Sequence, residues 1–250
     1  MKTSPLLAAL ALLAAFALSA QAETSFEDRM KEVEKAVLAK RSVSKEAFYG
    51  ELEKQARALL KEFPTQEEPY GMLVAVAENA APEKARAIFK ELDGEKVPAE
   101  IKAQAKAAAT KLDAMGKPLD IKFKAVDGRE VDLAAMKGKV VLVDFWATWC
   151  GPCVAELPHV LEAYTKMHDK GFEIVGISLD EDKGKLESFV KEKEIAWPQY
   201  FDGQGWKNAV SQKYGINSIP AMWLVDKKGN LVDMNARDGL AEKVEKALAE

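Results

Sequence analysis

Cysteine and histidine are almost absent from this chain, with two of each among 250 residues. Both cysteines fall in one short stretch, "FWATWCGPC", as Cys150 and Cys153. A structural staple works by closing a long loop, and one that spans two intervening residues constrains almost nothing in the unfolded chain. Stability is therefore a poor reason for the pair. An excess of basic charge is also lacking: the net charge of −4 argues against a nucleic-acid or anionic-membrane surface. Beyond residue 22 no apolar run is long enough to cross a bilayer, and no cysteine lies near the amino terminus to carry a lipid.

What remains is ordinary for a soluble globular protein, 48% hydrophobic and 30% charged, in a chain long enough for two modest domains. The first residues set the compartment. Lys2 and the amino terminus form a short positive region, Leu6 to Leu18 an unbroken apolar run, and Ala20-Gln21-Ala22 a small-residue cleavage pattern. Residues 1–22 thus read as a secretory signal peptide cleaved after Ala22, which places the mature protein in the periplasm or another extracytoplasmic space. The alternative is an uncleaved membrane anchor, but the run is shorter than the roughly 20 residues that span a bilayer.

From Phe26 to about Met115 apolar residues recur at helical spacing in an Ala/Glu/Lys/Leu-rich background, and strand-like alternation is absent. Pro64, Pro69, Pro82, Asp93-Gly94 and Pro98 cut this stretch into about five helices, with Ser44 and Ala81-Pro82 as helix starts. "EKQARALLKEF" and "EKARAIFKEL" resemble each other about one helix pair apart, which hints at a helical-hairpin repeat of the tetratricopeptide kind. The expected division is a helical domain over residues 23–115 and an α/β domain over 116–250.

After Gly116-Lys117-Pro118 the texture changes, and short strands alternate with helices. "DIKFKAV", "KVVLVDFWA", "FEIVGISL", "WPQYF", "AMWLVD" and "LVDMNA" read as strands, the last two flanking a turn at Lys228-Gly229-Asn230. Helices are expected from Gly151 to about Lys170, around Lys183 to Lys193, near Trp206 to Tyr214, and from about Gly239. A βαβ unit followed by an antiparallel hairpin and a helix makes a mixed sheet covered on both faces.

Cys150 stands where an apolar strand ends and a helix begins. The free N–H groups of the first helical turn favour thiolate over thiol, which makes Cys150 the nucleophile. Cys153, one turn further in and expected to be more buried, is placed to attack a mixed disulfide formed on Cys150. Gly151 allows close approach of a partner's backbone, and Pro152 suits the first helical turn, where a missing N–H costs little. A zinc site of both cysteines with His159 and His168 can be written down, but the spacing is wrong for a finger. The histidines read instead as surface residues of the helix after the pair.

"VLVDFWATWCGPC" together with "GINSIPAMWLVDKKGNLV" resembles the thioredoxin superfamily. The "MKGKVVLVDFWATWC" lead-in, "CVAELP" and the leader are similar to its TlpA/ResA-like branch of extracytoplasmic thiol-disulfide oxidoreductases. The resemblance covers about residues 116 to 250 and implies a thioredoxin fold. It matches Cys150 with the attacking cysteine, Cys153 with the resolving one and Trp149 with the aromatic residue beside them, against a reading of Trp149 as a core residue. It matches Pro220 with the cis-proline that faces the disulfide, and Ile219 with the residue whose backbone pairs with the substrate as an added strand. Asp144, a carboxylate inside an otherwise apolar strand, needs a chemical reason to be there. It matches thioredoxin's buried aspartate, where many members of the branch carry asparagine, and Glu156 matches a glutamate near the ResA-like active site. Either acid could exchange the proton with the resolving thiol.

The resemblance implies a thiol-disulfide oxidoreductase acting on disulfide-bearing client proteins, with no metal or organic cofactor. The Gly-Pro dipeptide between the cysteines points to the reducing direction, and an exported reductase needs a membrane-embedded thiol transporter as electron donor. One rival is an interaction protein whose helices bind a partner while the thioredoxin-like domain serves as scaffold or redox-regulated module. Another is a thiol peroxidase, which normally carries a different active-site sequence.

Overall fold

The computed structural model describes residues 25–250, so the leader expected over residues 1–22 lies outside the described residues. The chain divides into two compact units. One runs to Ile88 and includes Gly94–Ile101, and the other comprises Phe89–Asp93 and Lys102–Glu250.

The first unit holds α1 (Phe26–Arg41), α2 (Lys45–Glu62), α3 (Glu68–Glu78) and α4 (Pro82–Glu91) as far as Ile88, and all four start where the breakers predict. The Ser25 and Ser44 hydroxyls cap α1 and α2 by accepting from Asp28 N at 3.1 Å and Ala47 N at 3.0 Å. Pro69 sits in the first turn of α3, where no amide hydrogen is required. Apolar side chains at helical spacing meet inside: Val33, Val37 and Leu59 are buried, and Met30, Phe48 and Leu52 pack against them.

In the second unit a five-stranded mixed sheet runs in the order β5-β4-β3-β6-β7. Its strands are β3 (Val140–Trp146), β4 (Phe172–Ser178), β5 (Gln199–Tyr200), β6 (Ala221–Val225) and β7 (Leu231–Asp233). The β3–β4 and β4–β5 pairs are parallel, and β3–β6 and β6–β7 antiparallel. A separate antiparallel hairpin joins β1 (Lys122–Lys124) to β2 (Glu130–Asp132). β2 was not anticipated, because a charged three-residue strand carries no periodicity to detect. Between the strands lie α6 (Gly151–Met167), α7 (Lys183–Glu192) and α8 (Ala209–Lys213), and α9 (Leu240–Ala249) ends the fold.

Every residue of β3 is buried, as expected for a central strand covered on both faces. α6 packs on β4, and α9 packs on both α6 and β3. β3 and β4 point the same way, so the loops at their carboxyl ends emerge together. In open α/β sheets that edge is where sites form.

One boundary differs from the expected one. α5 (Ala99–Ala114), assigned by composition to the helical domain, belongs from Lys102 onward to the second unit. Its anchor is a close approach at Gly215, where a Cβ would lie 2.7 Å from the carbonyl oxygen of Ala107. Lys111 Nζ adds a hydrogen bond to Asn217 Oδ1 at 2.9 Å. An Ala-rich helix with a weakly apolar stripe does not reveal which neighbour it will pack on.

Gly215 also has φ +66°, which an L side chain adopts only with strain. Gly215→Ala is therefore expected to destabilise the second unit by about 1–3 kcal/mol, read as a lower urea midpoint at unchanged slope. A midpoint equal to that of the parent would show that α5 is not held here.

Candidate active site

The site begins where β3 stops. Leu179 N donates to Trp146 O at 2.8 Å, which extends the β3–β4 pairing to the last residue of β3, and the chain then turns through Ala147–Trp149 into α6. Cys150 is the N-cap of α6, with extended backbone, and its sulfur accepts from Cys153 N at 3.2 Å. Cys150 and Cys153 are joined in a disulfide with an S–S distance of 2.03 Å and a Cα–Cα distance of 5.2 Å.

Burial corrects one expectation. Cys153 is no deeper than Cys150: the two are 5% and 6% exposed. One helical turn brings Cys153 back over the N-cap, so the same surroundings cover both sulfurs. Gly151 and Pro152 beside them are exposed. A Cβ at Gly151 would meet nothing within 4 Å, so the chain's own packing does not require glycine there.

Trp149 is not a core residue. It is 54% exposed, and its ring lies 6.1 Å from that of Trp206, centroid to centroid. Across the sheet, β6 pairs with β3 as far as Phe145↔Ala221. This register puts Ile219 and Pro220 at the edge from which the cysteine loop leaves, and the Ile219–Pro220 peptide is cis.

The two carboxylates sit in opposite environments. Asp144, in the middle of β3, is 6% exposed, and its Oδ1 has no hydrogen-bond partner among the described residues. Burial, and secondarily the charge of Glu156, push its pKa up to about 7. Glu156, three residues after Cys153, would also be raised by its partial burial. Hydrogen bonds from Arg237 Nε at 2.8 Å and His159 Nδ1 at 3.1 Å outweigh that cost and hold its carboxyl below the usual glutamate range. At neutral pH the site therefore contains a fixed, paired anion and a second acid poised to gain or lose a proton. His159 is exposed at the helix surface, as expected, and His168 lies at the end of α6. Among the described residues no group of three or more Cys, His, Asp or Glu side chains could hold a metal ion.

Two contributors were missed in the sequence. Asp180, 3% exposed and just beyond β4, accepts from Thr148 N at 3.2 and 3.1 Å, from Thr148 Oγ1 at 2.5 Å and from Ser178 Oγ at 2.8 Å. It thereby fixes the loop that presents Cys150. The signal available was an aspartate directly after a largely apolar, buried strand, in "GISLDED". Arg237 carried no such signal, because its partner is 81 residues away in the chain.

A disulfide at the N-cap of a helix leaving the central strand of a five-stranded mixed sheet, with a cis-proline at the same edge, defines a thioredoxin-fold thiol-disulfide oxidoreductase. The Redoxin family matches residues 92–249, more than half of the chain, and the chain belongs to that family. It is 32% identical over 123 residues to the thiol-disulfide oxidoreductase ResA of Bacillus thuringiensis subsp. konkukian, a span covering 49% of this chain and 69% of that protein. ResA of Bacillus subtilis is 30% identical over 106 residues, covering 42% of this chain and 58% of that protein. Among solved structures, the C-terminal domain of a protein assigned as a thiol-disulfide oxidoreductase in Bacteroides thetaiotaomicron superposes with a TM-score of 0.50 at 28% identity. That match covers 54% of this chain and 96% of that domain.

The buried acid makes stability pH-dependent, and its sign follows from proton counts. Unfolded, Asp144 loses its proton near pH 4, but folded it keeps the proton to about pH 7. Between these values the folded state binds more protons, so this contribution to stability falls as pH rises and is flat above about pH 7. The interval of about three pH units corresponds to roughly 4 kcal/mol. Asp144→Asn removes the slope. Relative to the parent, the variant should gain about 2–4 kcal/mol in urea unfolding between pH 4 and pH 8, whereas parallel profiles would show that Asp144 titrates normally.

Proposed function

We propose that this oxidoreductase works outside the cytoplasm as a reductase of client-protein disulfides, through the Cys150–Cys153 dithiol. The observation that carries the reading is the position of Cys150: an N-cap sulfur that already accepts a helix amide hydrogen bond, on a loop held rigidly by Asp180.

In the reduced protein the Cys150 thiolate attacks a client disulfide. The Cys150–client bond forms, the client S–S bond breaks, and the departing client sulfur leaves with the electron pair and takes up a proton. Cys153 then gives its proton to the Asp144 carboxylate and attacks the Cys150 sulfur, closing the Cys150–Cys153 bond and releasing the second client thiolate. The client gains two electrons and the dithiol loses two. A pKa of about 7 suits Asp144 to this transfer, because proton exchange is most effective when donor and acceptor are matched near the working pH. Glu156 is the weaker candidate, since its charge is engaged by Arg237 and His159. The open side of Gly151, and the backbone of Ile219 beside Pro220, are where the client chain would lie.

Export is supported by the charge, apolar run and cleavage pattern of residues 1–22. No helix among the described residues is long and apolar enough to cross a membrane. Re-reduction in an oxidising compartment calls for a membrane-embedded thiol transporter as donor.

Direction rests on the Gly151-Pro152 dipeptide, shared with thioredoxin. The expected potential is close to thioredoxin's, about −270 mV, measured by equilibration with a dithiol buffer. A value near the about −120 mV of a strong periplasmic oxidant would reverse the assignment, since the difference amounts to about 7 kcal/mol. The role of Asp144 has its own readout. In Asp144→Asn the second step, release of client from the mixed disulfide, should lose its pH inflection near neutrality and slow by about a hundredfold or more. An unchanged profile would move the proton to another group.

A further inference from the structure

Large apolar side chains are rarely left exposed in the second unit, yet two tryptophans are, side by side, one of them the residue before the reactive cysteine. Trp149 is 54% exposed and Trp206 44%, with an interplanar angle of 57° between the rings. Trp149 precedes Cys150 in the chain. Trp206 comes from the 3-10 turn Gly205–Lys207, more than fifty residues later.

Neither ring is on a loose loop. Asp180 binds both the backbone and the hydroxyl of Thr148, the residue before Trp149. On the other side, Gln212 Nε2 donates to Trp206 O at 2.7 Å. Asn208, fully buried, donates to Ser178 O at 3.0 Å and caps α8 by accepting from Val210 N and Ser211 N. Both tryptophan-bearing segments are thus tied to one short stretch at the carboxyl end of β4, Ser178 to Asp180. The chain holds two aromatic faces in fixed relation to Cys150 while leaving them in water, although aromatic surface of this size is normally buried.

Resting on the function proposed above, the geometry points to a docking surface for the client. Trp149 and Trp206 receive an aromatic or bulky apolar side chain that lies within a residue or two of the client's reacting cysteine. The occupant follows from continuity with the covalent site. Cys150 is 6% exposed, so a client must bring its sulfur close against the protein, and the residues flanking that sulfur then fall beside Trp149. Rings 6.1 Å apart and tilted are spaced as aromatic neighbours are, and a third ring can pack against their open faces. One such contact is worth about tenfold in selection between otherwise identical segments.

The test is a competition on the full chain carrying Cys153→Ser, which cannot resolve its mixed disulfide. Two peptides, identical except for Trp or Ser next to their single cysteine, are offered together as mixed disulfides with thionitrobenzoate. The Cys150 thiolate attacks the peptide sulfur, the peptide–thionitrobenzoate bond breaks, and thionitrobenzoate leaves with the electron pair. Adducts are counted by mass spectrometry at early times. The tryptophan peptide is expected to be trapped about tenfold faster. Trp206→Ala should bring the ratio towards one, while Trp206→Phe, which keeps a ring, retains most of it. Equal trapping by the parent, or a preference undiminished in Trp206→Ala, overturns the inference and leaves the proposed function standing. Failure to trap either peptide would overturn both.

Discussion

Burial of β3 on both faces is the constraint from which the rest of this site follows. A strand with no exposed residue must pass from the interior to the surface in the few residues between Trp146 and Gly151. Helix α6 starts at that exit, so the first sulfur to emerge becomes its N-cap and accepts one of the amide hydrogens the helix leaves free. The same burial surrounds Asp144 with low-dielectric packing. A thiolate-favouring position and a proton-retaining carboxyl are therefore two effects of one strand, the first at its end and the second in its middle.

The electrostatics divide the two acids by their partners rather than by their type. Arg237 and His159 repay the burial of Glu156 with hydrogen bonds to the charged form, and the carboxyl stays ionised. Nothing comparable reaches Asp144 Oδ1 among the described residues, and the ionised Glu156 nearby makes its charged form still less favourable. Pairing one acid thus sharpens the other's affinity for a proton. Because the two acids act on each other, their observed titrations belong to the pair rather than to either residue alone.

A second organising element is the end of β4. Ser178 and Asp180 take up hydrogen bonds from Thr148 and Asn208, which lie on separate loops, so the cysteine loop and the Trp206 turn share one anchor. Parallel pairing of β3 and β4 makes this possible, because it brings the carboxyl ends of both strands to the same edge. Precision at the reacting sulfur is thereby supplied from outside the Cys-Gly-Pro-Cys segment.

Much of this was legible in the sequence because it is local. An unbroken apolar strand, a cysteine at its end, a proline in the following turn and a second cysteine one turn on specify the strand–helix junction through propensity and spacing alone. The breakers likewise mark the helices before it. Other features depend on which distant segments meet, and for those the one-dimensional pattern is silent. α5 resembles the helices before it in composition, yet packs where Gly215 leaves room for Ala107. Asp144 was visibly out of place in its strand, but its proton affinity is set by what surrounds it and by a glutamate whose charge is stabilised from 81 residues away. Trp206 reads as one aromatic residue in a loop until the fold sets it beside Trp149. By itself the sequence determined where the reactive pair lies and what chemistry its spacing allows, since hydrogen bonding and backbone geometry within one turn suffice for that. Tertiary structure alone decided which acid holds a proton and which aromatic ring meets Trp149 beside the cysteine loop, because dielectric environment and long-range contact exist only once the chain has packed.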